Sequence, residues 1–161
     1  MKIIIAGCGK IGDEICRVLS SEGNDVTVID TDESIVEDMC DKYDIMGVAG
    51  NCASHVVQLE AGVDEADLLI AVTGSDELNL LCALTARMAG NVRTIARLSN
   101  PDYRMEAAFL KEELGLAMVI NQEQTAASEI ARVLKFPSAI QIDTFAKGRV
   151  EIFRKCNDLN R

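Results

Sequence analysis

Gly7-Cys8-Gly9-Lys10-Ile11-Gly12 sets three glycines in the spacing G-x-G-x-x-G, directly after the apolar run from Lys2 to Ala6. A residue without Cβ turns tightly and admits a close neighbour. At a strand-to-helix junction the three positions divide that work. Gly7 serves the turn, Gly9 the approach of a pyrophosphate, and Gly12 the seating of the helix on the sheet. The helix that follows aims its free N–H groups and positive dipole end at the anion. Asp30 closes the second apolar run, 18 residues beyond Gly12. A carboxylate there accepts hydrogen bonds from ribose hydroxyls and repels the 2′-phosphate of NADP. The expected ligand is NAD(H), with ATP or ADP as the alternative because the ribose looks the same.

Further candidates sit in loops that share the sheet edge with the glycines: Thr31 beside Asp30, Asn51 and Cys52 in "GNCAS", Thr73 in "TGSDELN" and Arg97 in "RLSNP". Asn51 could meet an adenine edge or merely complete the turn after Gly50. Thr73 is placed to touch ribose or phosphate. Lys10 and Arg97 are the cations of this edge, and an anionic ligand needs neutralising. Asp76 and Glu77 open a helix, where acidic side chains suit the dipole with no ligand present.

These residues need a scaffold, and the hydrophobic period supplies one by alternating short β-branched runs with amphipathic stretches. Strands are expected near 2–6, 25–29, 44–48, 67–72, 92–98 and 117–120, with helices over 10–23, 32–43, 53–62, 75–90, 100–115 and 122–135. Ser75 and Asn100-Pro101 read as helix starts, and Gly23, Gly62, Gly90 and Gly115 as left-handed helix ends. The fold class is α/β: a Rossmann-like, doubly wound parallel sheet of six strands with helices on both faces. Residues 1–135 form the nucleotide-binding domain. Residues 136–161 read as a linker and the beginning of a truncated accessory module, with two strands around Lys147-Gly148.

Composition narrows the partners. Sixteen basic against 26 acidic residues give a net charge of −10, which repels phosphate backbones and argues against nucleic acid. No apolar stretch nears the roughly 18 residues of a membrane span, so direct membrane insertion is not expected. The start, Met1-Lys2 and four apolar residues, lacks the length of a secretory signal, which predicts a cytoplasmic protein. The six cysteines lack C-x-x-C spacing and read as small apolar side chains in a reducing compartment, with Cys8 and Cys52 falling in the ligand loops. His55 stands alone, so neither a metal site nor a catalytic residue is expected. Met39, Met46, Met88, Met105 and Met118 read as core filler.

With these motifs in hand, the chain resembles the KTN/RCK family of regulatory nucleotide-binding domains, and within it the regulators of Trk-type potassium uptake. The likeness runs through "IIIAGCGKIGDEICRVLSSEGNDVTVIDTD", "GVAGNCAS", "ADLLIAVTGSDELNLLCALTAR", "TIARLSNPDY" and "VINQEQTAASEIARVL". It implies an NAD(H)- or ATP/ADP-binding subunit that forms a homodimer or higher ring and gates a membrane potassium transporter from the inner face of the cell membrane. By that likeness Gly7, Gly9, Lys10 and Gly12 hold phosphates, Asp30 the ribose, Asn51 the base, and Thr73 and Arg97 the remaining ligand. Glu123 matches a family position that meets a divalent cation. Asn51 replaces a frequent Asp, and Gln122 a frequent Pro.

Two other classes compete with a gating subunit. An NAD-dependent oxidoreductase needs acid–base groups at the nicotinamide, which one peripheral histidine does not provide. A DNA-bound redox sensor needs a basic recognition helix, for which this acidic chain has no room. A regulatory subunit, not an enzyme, is the expectation. Its apolar helix faces (Leu78, Leu81, Cys82, Met88; Phe109, Leu110, Leu114) are candidates for self-association.

Overall fold

The computed structural model describes residues 1–104, 106–135, 139–145 and 150–155. They fall into two compact units, Met1–Asn121 and a second from Gln122 onward.

In the first unit six strands alternate with helices: β1 (Lys2–Ala6), α1 (Lys10–Ser21), β2 (Asp25–Asp30), α2 (Glu33–Tyr43), β3 (Met46–Ala49), α3 (His55–Glu60), β4 (Leu68–Ala71), α4 (Asp76–Ala89), β5 (Arg93–Arg97), α5 (Pro101–Arg104), α6 (Ala107–Glu113) and β6 (Met118–Ile120). All pairings are parallel, in the order β3-β2-β1-β4-β5-β6. The chain therefore winds outward from β1 to β3, then returns to the far side of β1 to lay down β4, β5 and β6. That reversal opens a crevice at the carboxyl ends of β1 and β4, where ligands bind in such sheets.

Strand residues alternate between two cores. Ile3, Ile5, Val26, Val28 and Ile70 face α1 and α2, meeting Cys16, Val36 and Met39. Ile4, Ala6, Ile29, Leu69 and Ala71 face α3 and α4, meeting Ala61, Cys82 and Ala86. Burial on both faces explains why these strands read as continuous apolar runs.

Ser75 caps α4, its hydroxyl accepting from the Leu78 N–H at 3.2 Å. Asn100 accepts from the Asp102 N–H at 2.9 Å, with Pro101 opening α5. Gly23, Gly62 and Gly115 take positive φ, as a left-handed helix end requires. Gly90 does not. Its φ of −168° is extended and carries α4 straight toward β5. The helix expected over 100–115 is two, because the Glu106 N–H bonds the Tyr103 carbonyl three residues back and tightens the turn.

Of the methionines, Met39 is core, whereas Met46, Met88 and Met118 are more than half exposed. Met46 lies on edge strand β3 and Met118 on edge strand β6, where one side of the strand has no neighbour in the sheet. Met105 lies outside the described residues.

The second unit holds α7 (Gln122–Lys135) and an antiparallel pair, β7 (Ala139–Phe145) with β8 (Val150–Lys155). Glu123 stands in the first turn of α7. Phe136-Pro137 and Lys147-Gly148, read as a linker and a turn, are outside the described residues.

Candidate nucleotide-binding site

The crevice is a cleft of about 390 Å³ formed by the loops that leave β1, β2, β3 and β4. Gly7 and Gly9 come from the first loop, Asp30 and Thr31 from the second, Gly50 and Cys52 from the third, Thr73, Gly74 and Ser75 from the fourth. Ile29, Ile35, Val72 and Leu78 add apolar wall. An apolar slot with a few placed polar groups suits a flat base and a ribose.

Each glycine is accounted for by what surrounds it. Gly7 has φ +102°, and a Cβ there would lie 2.8 Å from the Thr73 nitrogen, so the first and fourth loops cross in contact. A Cβ on Gly12 would lie 1.9 Å from the Gly7 carbonyl oxygen, so the start of α1 is pressed against its own entry loop. At Gly9 a Cβ would meet nothing within 4 Å. Two glycines are needed by the fold, and the third faces open cleft. The Asp13 N–H makes the first helical bond, to the Gly9 carbonyl, which leaves the amides of Lys10, Ile11 and Gly12 with no partner one turn back.

Asp30 ends β2 half-buried at the rim. Its Oδ2 accepts from the Cys8 N–H at 2.7 Å, and its Oδ1 from the Asp32 N–H at 3.2 Å. The carboxylate thus fixes the glycine loop from below, and with about four lone-pair sites it keeps capacity for two ribose hydroxyls. The Cys8 side chain is buried beneath the loop. Burial and the charge of Asp30 push its thiol up to about 12, so it stays neutral.

The fourth loop is held from α4. Asn79, fully buried, accepts at Oδ1 from the Thr73 N–H (2.8 Å) and hydroxyl (2.7 Å). Its Nδ2 donates to the carbonyls of Thr73 (3.3 Å) and Arg97 (3.0 Å). Arg97 reaches the same loop, Nη1 donating to the Thr73 carbonyl at 3.2 Å, while its buried Nε has no partner among the described residues. Asp76, also buried, accepts from the amides of Ser99 (2.8 Å) and Asn100 (2.6 Å). Asp76 is thereby committed to its neighbour loop.

The structure gathers Gly7, Gly9, Asp30, Thr31, Cys52 and Thr73 around the cleft. Lys10 is exposed at the start of α1, Ile11 packs into the core below it, and Gly12 is buried. Asn51 is exposed, and its Oδ1 accepts from the Ala53 N–H at 2.9 Å, so it serves the turn. None of Cys8, Lys10, Ile11, Gly12, Asn51 and Arg97 lines the cleft. The apolar wall and Asn79 escaped the sequence reading. Ile29, Val72 and Leu78 look like any core residue, and the buried Asn79 is signalled only by standing on the apolar face of "DELNLL".

The cleft thus presents open space at Gly9 and a carboxylate with lone pairs to spare at Asp30, beside the free first-turn amides of α1. The arrangement defines a Rossmann-like nucleotide-binding domain. More narrowly, the chain belongs to the TrkA-N domain family, whose model matches residues 3–122. It is 38% identical over 159 residues to a Trk system potassium uptake protein TrkA homolog 1 of Methanosarcina mazei, covering 94% of this chain and 38% of that one. It is 35% identical over 155 residues to the Trk system potassium uptake protein TrkA of Haemophilus influenzae, covering 94% and 34%. The chain thus spans a little over a third of these relatives' length.

Among solved structures, the TrkA-N domain of inner membrane protein ybaL from Escherichia coli superposes with a TM-score of 0.73 at 22% identity, covering 83% of this chain and 96% of that one. A GsuK channel bound to NAD gives 0.69 at 20% identity over 91% and 25%. GsuK bound to ADP gives 0.67 at 25% identity over 84% and 34%. Among the described residues, no helix is long and apolar enough to cross a membrane.

Proposed function

We propose that this chain is the nucleotide-sensing part of a cytoplasmic regulatory subunit that gates a Trk-type membrane potassium transporter, with NAD(H) or ATP/ADP as the signal. The observation that carries the reading is the open Gly9 position facing the cleft, opposite a half-buried Asp30 that still has lone pairs to offer. The GsuK structures bound to NAD and to ADP, which share this fold, support the choice of ligands. In this reading the pyrophosphate lies over the amides of Lys10, Ile11 and Gly12, and Asp30 holds the ribose. The base enters the slot of Ile29, Ile35, Val72 and Leu78.

Energetics favour several copies acting together. Moving a gate from mostly closed to mostly open takes about 5.5 kcal/mol of differential binding. One coupled site typically supplies ~1–3 kcal/mol. A homodimer or larger ring adds identical sites until the sum suffices. Leu81, Met88 and Phe109 are more than half exposed and are the candidates for self-contact. Cys82 is fully buried against the sheet and Leu78 packs on the same core, so the face of α4 that is free for contact is narrower than the sequence suggests.

The test is titration calorimetry of the purified chain with NADH, NAD, ATP and ADP. Binding of at least one is expected, weakened tenfold or more by Asp30→Ala. Absence of binding by all four, or an Asp30→Ala variant with unaltered affinity, would overturn the assignment.

A further inference from the structure

Cys52 follows β3 and lines the cleft, and Cys82 sits in the middle of α4. Both belong to the apolar cluster beneath the cleft, at 3% and 0% exposure. Gln58, fully buried, clamps the two backbones together: its Nε2 donates to the Cys52 carbonyl at 2.6 Å and to the Cys82 carbonyl at 2.9 Å. The same nitrogen lies 3.5 Å from the Cys82 sulfur.

The two cysteines sit in the same buried cluster, bridged by that one amide nitrogen, and each thiol bears on the other's titration. The Cys82 thiol beside it, helped by the Cys52 N–H, holds the Cys52 thiol below its ordinary range against the opposing effect of burial, while the Cys52 thiol and burial push Cys82 up. One sulfur is prepared to attack and its neighbour keeps a proton to release. Packing alone does not ask for an amide that binds both cysteine carbonyls and one of the sulfurs.

We propose that Cys52 and Cys82 are a modification site, a dithiol that a hydroperoxide entering the cleft converts to a disulfide. The Cys52 sulfur attacks one peroxide oxygen and the O–O bond breaks. The departing hydroxide takes the Cys52 proton and leaves as water, with Cys52 now a sulfenic acid. The Cys82 sulfur then attacks the Cys52 sulfur and the S–O bond breaks. The second hydroxide takes the Cys82 proton and leaves as water. Two thiols lose two electrons in all, and one hydrogen peroxide accepts them.

Disulfide formation is independent of what the cleft binds. Shielding of Cys52 by ADP rests on the nucleotide reading above. To test the disulfide, the purified chain is exposed to a small excess of hydrogen peroxide without nucleotide, alkylated, digested without reduction and analysed by mass spectrometry. A single linked peptide pair joining Cys52 to Cys82 is expected, lighter by two hydrogens and reopened by dithiothreitol. Cys8→Ser leaves the linkage intact, and Cys52→Ser abolishes it. The proposal is overturned if both cysteines carry the alkyl label in treated chain that keeps its circular dichroism, or if Cys52 runs to sulfinic acid unlinked. With saturating ADP the linkage forms several-fold more slowly. An unchanged rate beside a formed disulfide counts against the nucleotide site, not against the pair.

Discussion

Gly9→Ala separates what the fold needs from what a ligand needs. A Cβ at Gly9 meets nothing within 4 Å, and its φ of −66° with ψ of −173° is open to any L-residue. Alanine at an unstrained glycine usually adds about 0.4–1 kcal/mol by restricting the unfolded chain. The variant is therefore expected to be as stable as the parent or slightly more so. The space its methyl fills is the cleft, in front of the amides of α1. A pyrophosphate seated there must shift or be overpacked, at ~1–3 kcal/mol. That is an affinity loss of roughly 5- to 150-fold. Urea denaturation followed by circular dichroism reads the first quantity, and calorimetry with ADP and NADH reads the second. Unchanged stability with unchanged affinity would refute the placement of the phosphates. A stability loss above about 1 kcal/mol would refute the claim that the position is open.

Gly12→Ala is the counterpart. Its Cβ would stand 1.9 Å from a backbone oxygen, so despite a helix-propensity gain of up to about 1 kcal/mol the net change should be a loss of ~1–3 kcal/mol, seen as a lower urea midpoint. Asn79→Leu strips partners from the Thr73 amide and hydroxyl and from two carbonyls. A loss of about 3 kcal/mol is expected, with weaker nucleotide binding in whatever fraction stays folded. The acid limb of stability should carry the mark of Asp13, whose carboxyl is held below its ordinary value by the hydrogen bond from Lys42 at 2.9 Å and by the Tyr43 hydroxyl at 2.8 Å. A folded-state value below the unfolded one means that the stabilisation is present above about pH 4 and fades as pH falls through the folded value. Lys42→Met flattens that limb only slightly in a pH series of urea melts, because the pair is exposed and screened by solvent.

The parallel sheet was legible because doubly buried strands leave continuous apolar runs between capped helices. Lys2–Ala6 came out to the residue and the others within two. Local chemistry failed where tertiary context decides. Gly90 follows a periodic helix exactly as Gly23 does, yet α4 leaves in an extended conformation. Met46 and Met118 carry core-type side chains, but edge position is a property of strand order, which no short window contains. In the site, main-chain geometry was readable, since glycine spacing states it outright. Side-chain destinations were less so: Asn51, readable as a base contact or a turn residue, bonds the turn, while Asp76, read as suited to the helix dipole, holds two amides of the next loop.

The bonds of Asp76 show why "VTGSDELN" identifies the chain better than its glycines do. A G-x-G-x-x-G turn is determined by backbone sterics within one loop, and unrelated sheets arrive at it independently. The "VTGSDELN" segment must do three things from one helix start. Ser75 caps it, Asp76 gathers the loop after β5, and Asn79 gathers the loop after β4 with the end of β5. Each task requires one side-chain length and one pattern of donors and acceptors. Leucine at Asn79 would be as well buried, but four main-chain or hydroxyl groups would each lose a hydrogen bond. Asp76 and Asn79 are thus fixed by the loops they hold. On the proposed function, a change of ligand class would leave these two in place and alter the apolar wall and Asp30.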